Sequence, residues 1–137
     1  MRDLGIELSK KFRVGDIIVL HGPLGAGKTA LTQGIGAGFG IEGITSPTFV
    51  ISRIHRGDIT LNHVDAYRLL GHEQSRFEFD DLDIETDNAV TIIEWGADVV
   101  NRLGSDYLVL EISFGADENQ RTVSAQGFGQ RWQGFSL

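Results

Sequence analysis

The chain has 137 residues, 41% of them hydrophobic, which predicts a single domain over residues 1–137 with a substantial core. Its 12 Lys and Arg against 19 Asp and Glu give a formal net charge of −7, which opposes non-specific binding to nucleic-acid phosphates. There is no cysteine, so disulfides and thiolate metal sites are excluded. No signal-peptide core is present, and no apolar run approaches the ~18 residues of a membrane span, so we expect a soluble cytoplasmic protein.

The first predicted elements are a short amphipathic helix and a buried strand. Leu4, Leu8 and Phe12 recur every four residues, which predicts a helix over 4–12 with one apolar face. Residues 17–20 are apolar without alternation, as expected for a parallel strand that is covered on both faces.

That strand leads at residues 22–29 into GPLGAGKT, which matches the phosphate-binding pattern G-x-x-x-x-G-K-[ST]. Glycines let the backbone wrap a phosphate closely, and its N–H groups then form an anion nest at the start of a helix. Lys28 is expected to reach the β- and γ-phosphates, and the Thr29 hydroxyl to bind Mg²⁺. A glycine-rich turn that matches by chance is the alternative, at a frequency on the order of one per cent. The expected nucleotide contacts here are Gly22, Pro23, Leu24, Gly25, Ala26, Gly27, Lys28, Thr29 and Ala30.

A second helix is predicted over residues 28–39, where Leu31, Ile35 and Phe39 recur every four residues before Gly40. Glycines at 34, 36 and 38 each weaken such a helix by roughly 1 kcal/mol relative to Ala. We expect close packing against the sheet to compensate for them.

The next stretch predicts a turn and a hairpin. Residues 44–49 form a turn around Pro47, whose hydroxyl side chains either satisfy the local backbone or belong to a nucleotide-sensing switch loop beside the γ-phosphate. Strands are then predicted over 49–55 and 59–64, with a turn at Gly57 between them.

Carboxylates follow two of the predicted strands. Asp65 closes one strand, where it can bind Mg²⁺ or its water shell, or cap the segment that follows. Residues 90–93 form a buried strand that ends in Glu94, which can bind Mg²⁺ through water, or orient and deprotonate the attacking water in phosphoryl transfer. Trp95 is a packing residue or a wall against the nucleotide or a partner. The acidic run at 72–87 is a solvated face or a binding patch.

Toward the carboxyl end, residues 97–103 predict a short helix, and alternation from Leu108 to Phe114 predicts a strand with one buried face. Residues 121–125 predict an antiparallel closing strand. The last residues, 127–137, predict nothing specific. Together the elements predict an α/β, three-layer P-loop NTPase-like fold: a mostly parallel central sheet with an antiparallel hairpin and C-terminal edge strands, flanked by helices.

Four stretches, in order, resemble one family: GPLGAGKT (22–29), SPTF (46–49), HVDAYRL (63–69) and IEW (93–95). The chain is similar to the TsaE (YjeE) family, small bacterial P-loop ATPases required for making threonylcarbamoyladenosine. This modified base lies next to the anticodon in tRNAs that read codons starting with A. The resemblance spans about residues 4–126.

The resemblance implies a set of site residues. Lys28 and Thr29 match the loop Lys and Thr of the family, Thr48 its switch threonine, and Arg121 is the nearest match to an Arg of the closing strand that approaches the nucleotide. Asp65, Glu94 and Trp95 match its Mg²⁺-associated carboxylates and adjacent Trp. Many members carry Tyr where His55 stands. Members usually also have an extra amino-terminal strand, which we do not expect to find within residues 1–137.

Three functions follow as hypotheses. The resemblance implies an ATPase that uses ATP and Mg²⁺, is slow alone and is stimulated by TsaD and TsaB, with tRNA held by those partners and no membrane contact. Glu94, Asp65 and Lys28 would be catalytic, and Thr29, Asp65 and Glu94 would hold the metal. A small-molecule P-loop kinase is the second hypothesis, although no Arg-rich lid stands out in the sequence. A nucleotide-gated binding module that does not hydrolyse ATP is the third.

Overall fold

In a computed structural model, the structure describes residues 1–23, 25–45, 52–66, 83–96, 100–117 and 119–137. These residues form two α-helices, α1 (Arg2–Ser9) and α2 (Lys28–Gly38). Their strands are β1 (Ile17–His21), β2 (Ser52–His55), β3 (Leu61–Asp65), β4 (Val90–Glu94), β5 (Tyr107–Phe114) and β6 (Arg121–Phe128). Short 3₁₀ helices span Val100–Arg102 and Gln130–Trp132. Among the described residues, no helix is long and apolar enough to cross a membrane.

The strands form one sheet in the order β2-β3-β4-β1-β5-β6. Strands β3, β4, β1 and β5 run parallel, whereas β2 and β6 are antiparallel edge strands. This confirms the predicted mostly parallel sheet with a hairpin at one edge and the C-terminal strands at the other. Because β3, β4 and β1 are parallel, their carboxyl ends meet at the edge where the loop after β1 begins.

Both faces of the sheet are covered. Helices α1 and α2 pack on one face against apolar side chains that include Leu20, Ile92 and Leu110. The opposite face buries a smaller cluster in which Val19 and Ile93 pack with Val100 of the first 3₁₀ helix. Strand β1 therefore has apolar residues on both sides, as its unbroken apolar run predicted.

The glycines of α2 do not pack against the sheet, so that prediction was wrong: Gly34 and Gly38 face α1, and Gly36 faces Ile44. A Cβ at Gly34 would collide with the carbonyl of Arg2, and one at Gly38 with the Ser9 hydroxyl. On the facing helix, a Cβ at Gly5 would lie 2.5 Å from the carbonyl oxygen of Leu31. The two helices thus approach each other through backbone, which only glycine at these positions allows.

Several element boundaries differ from the predictions. Helix α1 ends at Ser9 instead of residue 12, although Phe12 remains buried. Phe114 was predicted on a buried face, but it is the last residue of β5 and is 51% exposed. The alternation identified its face of the strand correctly, but that face is no longer covered at the strand end.

The carboxyl-terminal segment, for which the sequence predicted nothing, belongs to the core. Trp132 is buried and makes edge-to-face contacts with Phe12 at 6.0 Å and Phe135 at 5.2 Å between ring centroids. Beside it, the Arg131 guanidinium donates from Nε and Nη2 to the two carboxylate oxygens of Asp16, each at 2.9 Å. Through these contacts the segment that follows β6 packs against the residue that precedes β1.

Other predictions fall partly outside the described residues. The switch loop around Thr48 and most of the acidic run lie outside them, as does Leu24 of the phosphate-binding loop. Of the predicted helix at 97–103, the structure describes residues 100–103, which begin with the 3₁₀ helix Val100–Arg102.

Candidate functional site

The glycine-rich loop connects β1 to α2 and is held closely against β5. A Cβ at Gly22 would overlap the carbonyl oxygen of Ile112, so the loop begins in backbone contact with the neighbouring strand. Gly27 has φ +113°, a left-handed conformation that glycine adopts without strain, and helix α2 begins at the next residue. The strand, loop and helix context that the motif requires is present.

Lys28 folds back over its own loop. Its Nζ donates to the carbonyl oxygens of Gly22 at 2.5 Å and Pro23 at 3.2 Å. Burial lowers the pKa of Lys28, and the charges of Glu94 and Asp65 partly oppose this shift. Burial separates the Lys28 ammonium from water, which destabilises its charged form. An anionic ligand such as a phosphate would stabilise that charge.

The two predicted carboxylates lie side by side. Asp65 ends β3 and Glu94 ends β4, and the register pairs these two residues directly. Both line one cavity of about 250 Å³. Its described lining consists of Gly25, Gly27, Lys28, Thr29, Asp65, Glu94 and Trp95. The structure therefore brings residues of the glycine-rich loop together with residues at the ends of β3 and β4 around one cavity.

Trp95 forms one wall of this cavity in an unusual backbone conformation. Its φ is +60°, which costs a residue with a side chain roughly 1–3 kcal/mol and persists only where the surroundings impose it. The Lys28 Nζ lies 4.1 Å from the centroid of the Trp95 ring, within cation–π range. This left-handed turn directly after Glu94 brings the indole ring over the lysine.

Glu94 has a partner that the sequence analysis missed. His63 Nε2 lies 2.7 Å from Glu94 Oε2, and both side chains are almost fully buried. His63 pairs with Ile92 in the sheet and Asp65 pairs with Glu94, so all four side chains share one sheet face. The sequence did contain an indication of this contact: His63 lies two residues before Asp65 on the same strand, so both side chains point to the sheet face that carries the cavity.

The remaining predicted residues lie as follows. Gly22, Pro23, Ala26 and Ala30 belong to the same loop and first helical turn but are not part of the described cavity lining. Arg121 begins β6, and its guanidinium lies 4.5 Å from the centroid of the Phe114 ring. It lies at the same edge of the sheet but does not line the cavity among the described residues, and its nucleotide contact stays a prediction. The contact of Thr48 also stays a prediction.

The donor atoms at this cavity fit Mg²⁺. One hydroxyl and two carboxylates offer oxygen ligands, the kind that Mg²⁺ prefers, on Thr29, Asp65 and Glu94. In the part of the chain that the structure describes, no three His, Asp or Glu side chains form a closed metal cage. A cation here would complete its coordination with water and phosphate oxygens, which is how Mg²⁺ is usually held beside nucleotides.

The fold and site define a P-loop-type α/β domain. A glycine-rich loop follows β1, and carboxylates end β4 and β3, the next two strands on one side of β1 in the sheet. Comparison with known families narrows this class. The family model described as threonylcarbamoyl adenosine biosynthesis protein TsaE matches residues 1–123. The chain therefore belongs to the TsaE family, as the sequence motifs indicated.

Individual relatives agree with this assignment. The chain is 46% identical over 139 residues to the tRNA threonylcarbamoyladenosine biosynthesis protein TsaE of Streptomyces coelicolor, covering 96% of this chain and 93% of that protein. It is 34% identical to the protein of the same name from Treponema pallidum, covering 88% and 90%. The crystal structure of YdiB from Bacillus subtilis superposes with a TM-score of 0.72 at 28% identity, covering 96% of this chain and 82% of that one.

Proposed function

We propose that this protein binds ATP with Mg²⁺ and hydrolyses it, and that this cycle drives threonylcarbamoylation of adenosine in tRNA through a TsaD–TsaB partner complex. The observation that carries the proposal is the pairing of Asp65 with Glu94 at one cavity, facing Lys28 and Thr29. Membership in the TsaE family supports the role in tRNA modification.

The chemistry assigned to these residues is in-line attack of water on the γ-phosphate. The loop N–H groups and the Lys28 ammonium bind the β- and γ-phosphates and stabilise the charge that develops on them. Thr29, Asp65 and Glu94 would hold Mg²⁺, which when bound neutralises part of the same charge. Glu94 or Asp65 orients the water and takes its proton, as the bond from the γ-phosphorus to its bridging oxygen breaks and ADP leaves.

Dependence on partners follows from what the cavity offers. No arginine lines it among the described residues. A guanidinium that stabilises the transition state contributes about 10³–10⁵-fold in other P-loop proteins, and we propose that a partner supplies this group here. The isolated chain should therefore turn over slowly.

The test is phosphate release from ATP and Mg²⁺ by the purified chain, alone and with TsaD and TsaB. Stimulation by the pair that is lost in Lys28→Ala supports the proposal. Lys10→Ala is the matched control, because Lys10 is an exposed lysine on α1 that pairs with Glu7. Equal rates with and without the pair would contradict the partner-coupled mechanism.

Two further measurements, product analysis and an assay of tRNA modification, separate the two alternative functions. Phosphate that appears on an acceptor molecule instead of in water identifies a kinase. If Glu94→Ala binds ATP normally and still sustains tRNA modification, the protein is a nucleotide-gated binding module.

A further inference from the structure

We propose that His63 is a positioning residue for Glu94, holding one carboxylate oxygen so that Glu94 faces the nucleotide cavity in a single orientation. The proposal rests on the proposed function, since it gives His63 a part in hydrolysis without contact with the nucleotide. It assigns a role to a motif residue that the sequence analysis left without one.

The contact is short and buried. His63 is 0% exposed and Glu94 4% exposed, and Nε2 lies 2.7 Å from Oε2. The two residues are held on adjacent central strands, β3 and β4, whose register is fixed by five residue pairs. Both residues therefore lie on backbone that the sheet holds in place, so the hydrogen bond can fix the rotamer of the Glu94 side chain.

The chemistry of the acceptor determines which ring nitrogen carries the proton. A carboxylate only accepts hydrogen bonds, so His63 must donate from Nε2. In the neutral ring, Nδ1 then carries a lone pair, and it is buried without a hydrogen-bond partner among the described residues. A buried acceptor without a partner costs less than a buried N–H without one, which favours this tautomer.

Stability alone does not account for a histidine at this position. His63 and Glu94 are both buried and one nitrogen of the ring has no described partner, so apolar residues at both positions would avoid the desolvation cost of the pair. What His63 provides that an apolar residue lacks is a donor aimed at Glu94.

Glu94 has a competing attraction that explains the need for a fixed donor. Lys28 and Glu94 line the same cavity, so the ammonium and the carboxylate attract each other. A carboxylate free to rotate toward this ammonium would form an ion pair across the site where phosphate must bind. The hydrogen bond to His63 holds Glu94 on its own side of the cavity.

The first experiment compares three substitutions of His63. In His63→Gln the amide nitrogen is three bonds from Cβ, as Nε2 is in histidine, so a donor remains within reach of Glu94. In His63→Asn the amide ends one bond short, and His63→Leu has no donor. We expect kcat for ATP hydrolysis to fall ~10- to 100-fold in the Leu and Asn variants and to recover in the Gln variant. Affinity for ADP without metal should stay near that of the wild type in all three.

Asn62→Leu is the matched control for damage to the fold. Asn62 is the adjacent buried polar residue on β3, and its side chain points to the opposite face, where it donates to the Glu85 carbonyl and the Thr91 hydroxyl. It should lose thermal stability without the selective loss of kcat. If His63→Leu and Asn62→Leu lower kcat equally at equal stability, or if His63→Asn is as active as His63→Gln, the positioning role is wrong.

A second measurement does not depend on hydrolysis. NMR of ¹⁵N-labelled histidine should show a slowly exchanging His63 Nε2 proton in the wild type, and Glu94→Leu should abolish this protection. Persistence of the signal in Glu94→Leu would overturn the proposal even in an active enzyme. If the signal behaves as expected but the wild type, with its partners, hydrolyses no ATP, the proposed function fails while the His63–Glu94 contact stands.

Discussion

The Lys28 ammonium lies over the Trp95 indole ring, 4.1 Å from the ring centroid, while it also donates to the Gly22 carbonyl. A lysine that binds phosphate cannot keep all of these contacts, because the phosphate oxygens take the place of the loop carbonyls. Nucleotide binding should therefore move the ammonium relative to the indole ring.

The first prediction is that Trp95 reports nucleotide binding by fluorescence. The chain has two tryptophans, and the other, Trp132, is buried between Phe12 and Phe135. Adding ATP with Mg²⁺ should change the emission of the wild type and of Trp132→Phe, because both keep the indole beside Lys28. Trp95→Phe should show no change on titration, and a full response from that variant would contradict the contact.

The second prediction concerns acid sensitivity through His55. Burial, followed by the nearby His63 and Arg53, lowers the pKa of His55 from its usual 6.5. Between the lowered pKa and 6.5 the unfolded chain binds more protons than the folded chain, so stability falls as the pH drops through this window. The free energy of unfolding of His55→Gln should therefore fall less than that of the wild type below pH 6.5.

Urea unfolding of both proteins between about pH 5 and pH 8 measures this difference. His21→Gln is the control, since His21 is exposed at the end of β1. Parallel pH profiles of the wild type and His55→Gln would show that His55 does not carry the acid sensitivity.

The sequence predicted the parts of the site that depend on local pattern or on sheet edges. The loop motif is continuous, so its position between β1 and α2 followed from eight adjacent residues. Asp65 and Glu94 could be assigned to one region because the carboxyl ends of parallel strands share an edge of the sheet.

The parts that were missed depend on which elements are neighbours. The contact between His63 and Glu94 requires β3 to lie directly beside β4, and no local pattern gives strand order. The glycines of α2 were recognised as sites of close approach, but the element that approaches Gly34 and Gly38 is α1 and not the sheet. Trp132 lies in a helix of three residues, too short for any periodicity to indicate a buried face.

The third prediction separates helix propensity from helix packing at Gly34. Propensity alone favours Gly34→Ala by about 1 kcal/mol. The added Cβ, however, would collide with the Arg2 carbonyl on α1, and backbone on both sides cannot yield without separating the helices. Gly34→Ala should therefore lower the free energy of unfolding.

Chemical denaturation measures this change, and Ala37→Gly on the same helix is the reference for propensity. Ala37→Gly should cost roughly 1 kcal/mol through propensity. If Gly34→Ala is more stable than the wild type, the two helices do not pack as closely as the structure indicates.

The fourth prediction concerns the ion pair between Arg131 and Asp16. Asp16 is 3% exposed at its side chain and also accepts a hydrogen bond from the Arg13 backbone N–H at 2.8 Å. Arg131→Met would leave this carboxylate buried without its cation. Breaking a fully buried pair costs ~3–5 kcal/mol, and because Arg131 is 22% exposed we expect about 2 kcal/mol.

The exposed pair of Lys10 with Glu7 is the control for this measurement, since Lys10→Met should change stability by less than about 1 kcal/mol. Replacing both partners, as Asp16→Asn with Arg131→Met, should recover part of the loss, because the amide keeps an oxygen for the Arg13 N–H and carries no charge. If Arg131→Met costs no more than Lys10→Met, the carboxyl-terminal segment contributes to stability through the packing of Trp132 and not through this ion pair.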